Sequence, residues 1–161
     1  MTSLNVDLDS RSYPIHIGGG LLTSLSALFK DLGIIGNVGL VSTADIHNLY
    51  GKEVERALTA ADCRVSTALI PDGEENKNLH TVSNLYDTFL KANLDRTSTL
   101  ISLGGGVVGD ITGFTAATLF RGMPYIQIPT TLLAMVDASI GGKTGVNHPG
   151  GKNLIGAFHQ P

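Results

Sequence analysis

Apolar and polar residues alternate in two short stretches near the start of the chain, Val6 and Leu8, then Tyr13, Ile15 and Ile17. A period of two marks half-buried strands. Asp9-Ser10-Arg11-Ser12 between them reads as a turn, so an N-terminal β-hairpin is predicted. The period then changes. Leu21, Leu22, Leu25, Leu28, Phe29 and Leu32 recur at helical spacing, and Gly33 supplies a stop. Short apolar runs at 38–41, 64–70, 99–103 and 125–128 read as strands. Amphipathic stretches over about 45–60 and 79–90, and a third from the glycines after residue 103 to about 120, read as helices. Strands alternating with helices imply an α/β fold, a parallel sheet flanked by helices on both faces. Beyond Pro129 glycine and polar residues dominate, and the expectation there is of loops and short helices.

Composition narrows the partners. The 161 residues carry eleven Lys/Arg against fourteen Asp/Glu, a net charge of −3, which argues against a nucleic-acid partner. A single cysteine, Cys63, excludes a disulfide framework within the chain. No run approaches the length of a membrane span, and the start of the chain has neither a basic segment nor a long apolar core. A cytoplasmic protein with no membrane partner is therefore expected. The charges are unevenly spread: residues 111–161 hold Arg121, Lys143 and Lys152 against the single acid Asp137. A locally positive, glycine-rich segment suits a small anionic ligand.

The candidate chemistry centres on Leu103-Gly104-Gly105-Gly106-Val107-Val108-Gly109-Asp110. Gly104, Gly106 and Gly109 have the G-x-G-x-x-G spacing between a predicted strand and a predicted helix, the context of a dinucleotide-binding turn. Glycines there allow a tight turn and let phosphate oxygens reach backbone N–H groups, and the helix N-terminus favours the anion. The sheet is thus Rossmann-like, with two departures. The turn follows a late strand, and the next strand ends in Pro129-Thr130-Thr131 with no ribose-binding acid. A packing turn without a ligand is the alternative. Asp110 would repel a pyrophosphate, so it is expected to accept bonds from ribose hydroxyls or to order a neighbouring lysine. Gly142-Lys143-Thr144 imitates the end of a P-loop, but Asp137 stands where that motif needs its first glycine.

The runs PDGEENK, LGGGVVGD, FRG, IPTTLLAMVDASIGGKTGVNHPGGKN and GAFHQP together resemble the 3-dehydroquinate synthases. These are sugar-phosphate cyclases, relatives of the iron-type alcohol and glycerol dehydrogenases. The resemblance implies conversion of 3-deoxy-D-arabino-heptulosonate 7-phosphate to 3-dehydroquinate and phosphate in the shikimate pathway. It implies NAD as a catalytic cofactor, a divalent metal (zinc or cobalt), and a homodimer. By the same resemblance, Asp72, Gly73, Glu74 and Lys77 meet the ribose and adenine side of NAD. Gly105, Gly106, Val107, Val108, Gly109 and Asp110 surround the pyrophosphate, and Thr130 and Thr131 supply hydroxyls to the dinucleotide. Lys143 and Lys152 stand between cofactor and substrate. Asp137 and Asn153 contact the substrate, and Arg121 reaches the substrate phosphate in the neighbouring subunit. A substrate bearing carboxylate and phosphate suits Arg and Lys.

Chains of this family are about twice as long. Their metal ligands, one glutamate and two histidines, belong to a later helical domain. None of His16, His47, His80, His148 and His159 has a partner at ligand spacing, so no metal ligand is expected here. Residues 1–161 are read as the NAD-binding N-terminal domain without its metal-binding partner domain. The alternatives are a domain of a sister cyclase, of the 2-deoxy-scyllo-inosose or valiolone type, and a non-catalytic nucleotide-binding module.

Overall fold

The computed structural model describes residues 1–161. Strands β1 (Thr2–Val6) and β2 (Tyr13–Ile17) form the expected antiparallel hairpin, with Thr2 opposite Ile17 and Val6 opposite Tyr13. Helix α1 (Leu25–Asp31) follows a short 3₁₀ turn at Leu21–Ser24. It ends before Gly33, whose φ of 68° is the left-handed stop that glycine allows. Strand β3 (Gly36–Ser42) leads into α2 (Ala44–Ile46), a π-helical turn at His47–Gly51, and α3 (Lys52–Ala60). Next come β4 (Cys63–Leu69), α4 (Leu79–Lys91), β5 (Thr99–Gly104), α5 (Gly106–Thr118) and β6 (Tyr125–Pro129).

The four central strands are all parallel, in the order β4-β3-β5-β6. Two apolar layers cover the sheet. On one face Leu25 and Phe29 of α1 and Val54 and Leu58 of α3 pack on Val38, Leu40, Ile101 and Leu103. On the other, Val82, Leu85 and Phe89 of α4 and Val108, Ile111 and Phe114 of α5 pack on Val41, Leu100 and Tyr125. Burying one such side chain contributes about 1.5–3 kcal/mol, so these layers dominate the stability of the fold. No helix is long and apolar enough to cross a membrane.

The last thirty residues depart from the sequence reading. After the one-and-a-half-turn helix α6 (Leu132–Val136), the chain forms an antiparallel hairpin of β7 (Lys143–His148) and β8 (Gly151–Phe158) rather than loops. Its glycines disguised it, since glycine is depleted in strands. They are needed because the two backbones approach closely: a Cβ on Gly145 would sit 2.6 Å from the Ile155 carbonyl oxygen. The hairpin lies against α5 and contributes Val146 to the same apolar layer. This explains why Val108, Ile111, Thr112, Phe114, Thr115 and Ala116 are all buried, as a helix with no polar face requires. The Tyr13 hydroxyl accepts a 2.8 Å bond from the Gly141 amide, tying the N-terminal hairpin to the turn before β7.

Candidate dinucleotide site

The chain leaves β3 outward to β4 and then crosses back to β5, so the order in which the parallel strands are laid down reverses between β3 and β5. Open parallel sheets bind ligands in the crevice outside the carboxyl ends at such a point. The glycine turn sits there, between the end of β5 and the start of α5. Gly105 is the N-cap residue and no side chain caps the helix, so its first N–H groups are free to meet an anion. None of the four glycines has a positive φ, so left-handed backbone is not what requires them. Closeness requires two of them: a Cβ on Gly109 would stand 2.7 Å from Gln127 Oε1. A Cβ on Gly104 would stand 2.6–2.7 Å from the branched Val108 side chain, whereas Gly105 and Gly106 have no neighbour closer than 3.3 Å.

The acid beside the turn is occupied. The Asp110 carboxylate receives the Lys77 ammonium, which also donates to Asn153 Oδ1 at 2.6 Å. Of the two roles expected for Asp110, ordering a lysine is the one its bonds display. Lys77 is correspondingly buried, at 5% exposure. Burial pushes the Asp110 carboxyl above its ordinary value; the Lys77 ammonium opposes this, and Glu74 and Asp137 reinforce it. The pair matters for a phosphate ligand because Lys77 cancels the negative charge that would otherwise repel it.

The PDGEENK turn leads into the site. Gly73 has a φ of 105°, a conformation that favours glycine. Asp72 is exposed. Glu74 Oε1 accepts a 2.8 Å bond from the side-chain Nδ2 of Asn147. Asn78 Oδ1 caps α4 by accepting from the Thr81 amide at 3.0 Å. At the end of β6, Thr130 donates its amide to the Gly104 carbonyl at 3.0 Å, while its buried hydroxyl has no partner. The Thr131 hydroxyl caps α6 by accepting from the Ala134 amide at 3.2 Å.

Lys143 and Lys152 are exposed and form no ion pair, as does the exposed Asp137 at the end of α6. Asn153 adopts a φ of 55° and is fixed on both sides, its amide bonded to Asn147 Oδ1 and its side chain to Lys77. Arg121 is not brought to the glycine turn of its own chain. It lies beyond the far end of α5, a helix of thirteen residues, which spans roughly 20 Å. There Phe120, Arg121 and Gly122 have successive φ values of 53°, 65° and 114°, a strained path for the first two that places the exposed guanidinium at a corner.

All five histidines are engaged elsewhere. His16 pairs with Ser3 at 2.8 Å, His47 with Glu55 at 2.9 Å, His80 with Asn84 at 3.4 Å, and His148 with the Gly150 amide at 3.0 Å. His159 bonds the Met123 carbonyl at 2.8 Å and stacks on Tyr125 with ring centroids 5.5 Å apart. No three His, Cys, Asp or Glu side chains gather where they could hold a metal ion. A shallow concavity of about 420 Å³ lined by Arg96, Gly122, Tyr125 and His159 lies at the amino end of β6, away from the glycine turn. Sequence reasoning missed Asn147, which joins the PDGEENK turn to the β7–β8 hairpin; its only signal was its place inside the NHPGGKN run.

Residues 67–161 match the sequence profile of the 3-dehydroquinate synthase N-terminal family. The chain belongs to this family. It is 51% identical over all 161 residues to the 3-dehydroquinate synthase of Pelotomaculum thermopropionicum, of which it spans 43%. Its fold superposes on a 2-deoxy-scyllo-inosose synthase complexed with carbaglucose-6-phosphate, NAD+ and Co2+. The TM-score is 0.90 at 26% identity, over 99% of this chain and 44% of that one. A 2-epi-5-epi-valiolone synthase from Streptomyces hygroscopicus, solved with NAD+ and Zn2+ bound, gives a TM-score of 0.81 at 32% identity, over 96% of this chain and 42% of that one. Membership of the dehydroquinate synthase family thus agrees with the glycine turn, the parallel sheet and the runs quoted from the sequence.

Proposed function

We propose that these residues are the dinucleotide-binding part of a 3-dehydroquinate synthase, which converts 3-deoxy-D-arabino-heptulosonate 7-phosphate to 3-dehydroquinate and phosphate. The carrying observation is the uncapped start of α5 at the point where the strand order reverses, in a chain half identical to a named 3-dehydroquinate synthase. The residues fit NAD. The first amides of α5 are free, Lys77 neutralises the adjacent acid, and the Thr130 hydroxyl is buried without a partner. NAD+, when bound, supplies a hydride acceptor for transient oxidation of a ring hydroxyl. The chain's own residues bind and orient: Gly105 and Gly106 leave room for the pyrophosphate, and Glu74 and Asp72 face its ribose side. Lys143 and Lys152 offer unpaired cations to the substrate's phosphate and carboxylate, while Asp137 and Asn153 suit its hydroxyls. Arg121, remote from this turn, would serve a neighbouring copy in a homodimer.

The residues do not fit a metal, so a divalent ion would be held by residues outside these 161. The sister cyclases share the fold at only 26% and 32% identity, which favours dehydroquinate as the product. Titration calorimetry tests the cofactor. NAD+ is expected to bind more tightly than NADP+, because no arginine occurs in the 72–78, 104–110 or 130–131 segments to meet a 2′-phosphate. Equal affinity for the two dinucleotides would overturn this reading. A phosphate-release assay with zinc and NAD+ tests the activity. A longer protein carrying this chain is expected to turn over, and the 161-residue chain alone is not; release by the chain alone would sink the assignment of the metal site elsewhere.

A further inference from the structure

Asn147 lies in β7 where the register of the last hairpin shifts between Val146 and His148. Its backbone amide donates to the Lys77 carbonyl at 2.7 Å, and Asn78 and Asn147 form an isolated parallel bridge. Its side-chain nitrogen donates to Glu74 Oε1 at 2.8 Å and lies 3.4 Å from the Glu74 carbonyl. Its side-chain oxygen accepts from the Asn153 amide at 2.8 Å. Both ends of the amide are therefore used inside the protein, and little capacity remains for a ligand. The same two segments meet again one residue away, where the Lys77 ammonium joins Asn153 to Asp110.

We propose that Asn147 is the positioning residue of the site, the joint through which the PDGEENK turn, the start of α5 and the β7–β8 hairpin act as one body. That this body is a ligand site rests on the proposed function; the joint itself does not. The bond to the Asn153 amide holds a left-handed backbone that a non-glycine residue seldom adopts unaided. The bond to Glu74 fixes the turn from which Lys77 enters the interior. Lys77 therefore reaches Asp110 only if both arms of Asn147 hold. Its effect on ligands is indirect: it sets where the Lys77 charge and the Asn153 amide stand.

Two measurements on this protein test the proposal. In an ¹⁵N-labelled sample at low temperature, the Lys77 ammonium should give a slowly exchanging signal, since it is buried and doubly bonded. Asn147→Ala should abolish that signal and deprotect the Asn153 amide, with the signals of α1 and α3 unchanged. Asn147→Asp keeps the acceptor for Asn153 but loses the donor and faces Glu74 with a like charge, so it should also lose the signal. Adding Glu74→Gln to Asn147→Asp restores one bond with donor and acceptor exchanged, and the Lys77 signal should return. A residue that mattered only by filling space would not be rescued by that exchange. The second measurement is NAD+ affinity, expected to fall about tenfold in Asn147→Ala, the loss of one hydrogen bond to a charged group. Failure of the unmodified protein to bind NAD+ counts against the proposed function alone, because the ammonium signal still reports on the joint. A persistent Lys77 signal in Asn147→Ala, or no rescue in the double variant, overturns the role assigned to Asn147.

Discussion

Two neighbouring glycines do different work. Gly104 is enclosed by the branched side chain of Val108, which cannot swing away as a flexible tip would. Gly104→Ala should destabilise the fold by about 1–3 kcal/mol, the usual cost of overpacking, measured as a shift in the urea midpoint. Gly106 has its closest neighbour, the Ala138 methyl, at 3.3 Å from an added Cβ. Gly106→Leu should leave the midpoint within about 1 kcal/mol but weaken NAD+ binding at least tenfold, read by calorimetry. Unchanged affinity in a folded Gly106→Leu protein would contradict the approach of phosphate to this backbone. Tyr125 shows the same logic in the interior. Burial pushes its phenol up to about 12, against the Gln127 amide that donates to it at 3.1 Å, so it stays neutral and polar throughout the working pH range.

At the scale of elements, the α2–α3 run is the one whose stability should follow pH. The sequence reads as one helix from about 45 to 60, yet a π turn interrupts it at His47–Gly51. Gly51 lacks the Cβ that would overlap the His47 ring. The ring thus folds over its own turn and reaches Glu55 at 2.9 Å, while the Thr67 hydroxyl from β4 donates to the same carboxylate at 2.5 Å. Burial alone would raise the Glu55 carboxyl; the Thr67 and His47 bonds and the charges of His47 and Lys52 outweigh it and hold it below its ordinary value of 4.5. A depressed carboxyl contributes stability that is present above its unfolded value and lost as pH falls through its folded value. Wild type should therefore exceed Glu55→Gln in stability by up to about 1 kcal/mol at neutral pH, modest because the group is partly solvated. The gap should close as pH falls from the ordinary carboxylate range through the lowered folded value. Denaturant midpoints of the two proteins across this range provide the measurement, and a constant gap would refute the role of the ionised carboxylate.

Across the whole molecule, α6 and the last hairpin leave large apolar side chains uncovered: Leu132 at 76% exposure, Leu133 at 72%, Val136 and Leu154 at 64%, and Phe158 at 82%. Exposed large apolar side chains of this kind mark interaction surface, and the chain spans only 43% of the Pelotomaculum relative. The isolated chain is expected to self-associate. Sedimentation equilibrium at rising concentration checks it, and a monodisperse monomer throughout would oppose both an exposed face and a homodimer built through Arg121.

The sequence by itself determined the elements whose periodicity was strong: the N-terminal hairpin, α1, α4, and the strand–glycine–helix unit at β5 and α5. It also carried the family, because the runs from Pro71 onward are specific in residue type and order. Tertiary structure decided what local pattern does not encode. The β7–β8 hairpin has too few apolar residues to read as strands, and it exists because it covers the outer side of α5. The π turn depends on a histidine reaching an acid eight residues on and a threonine from another strand. Lys77, Asp110 and Asn153 lie 33 and 76 residues apart in the pairs they form. Chemistry assembled over such separations is fixed by how sheet, helix and hairpin pack, and no stretch of sequence a few residues long contains it.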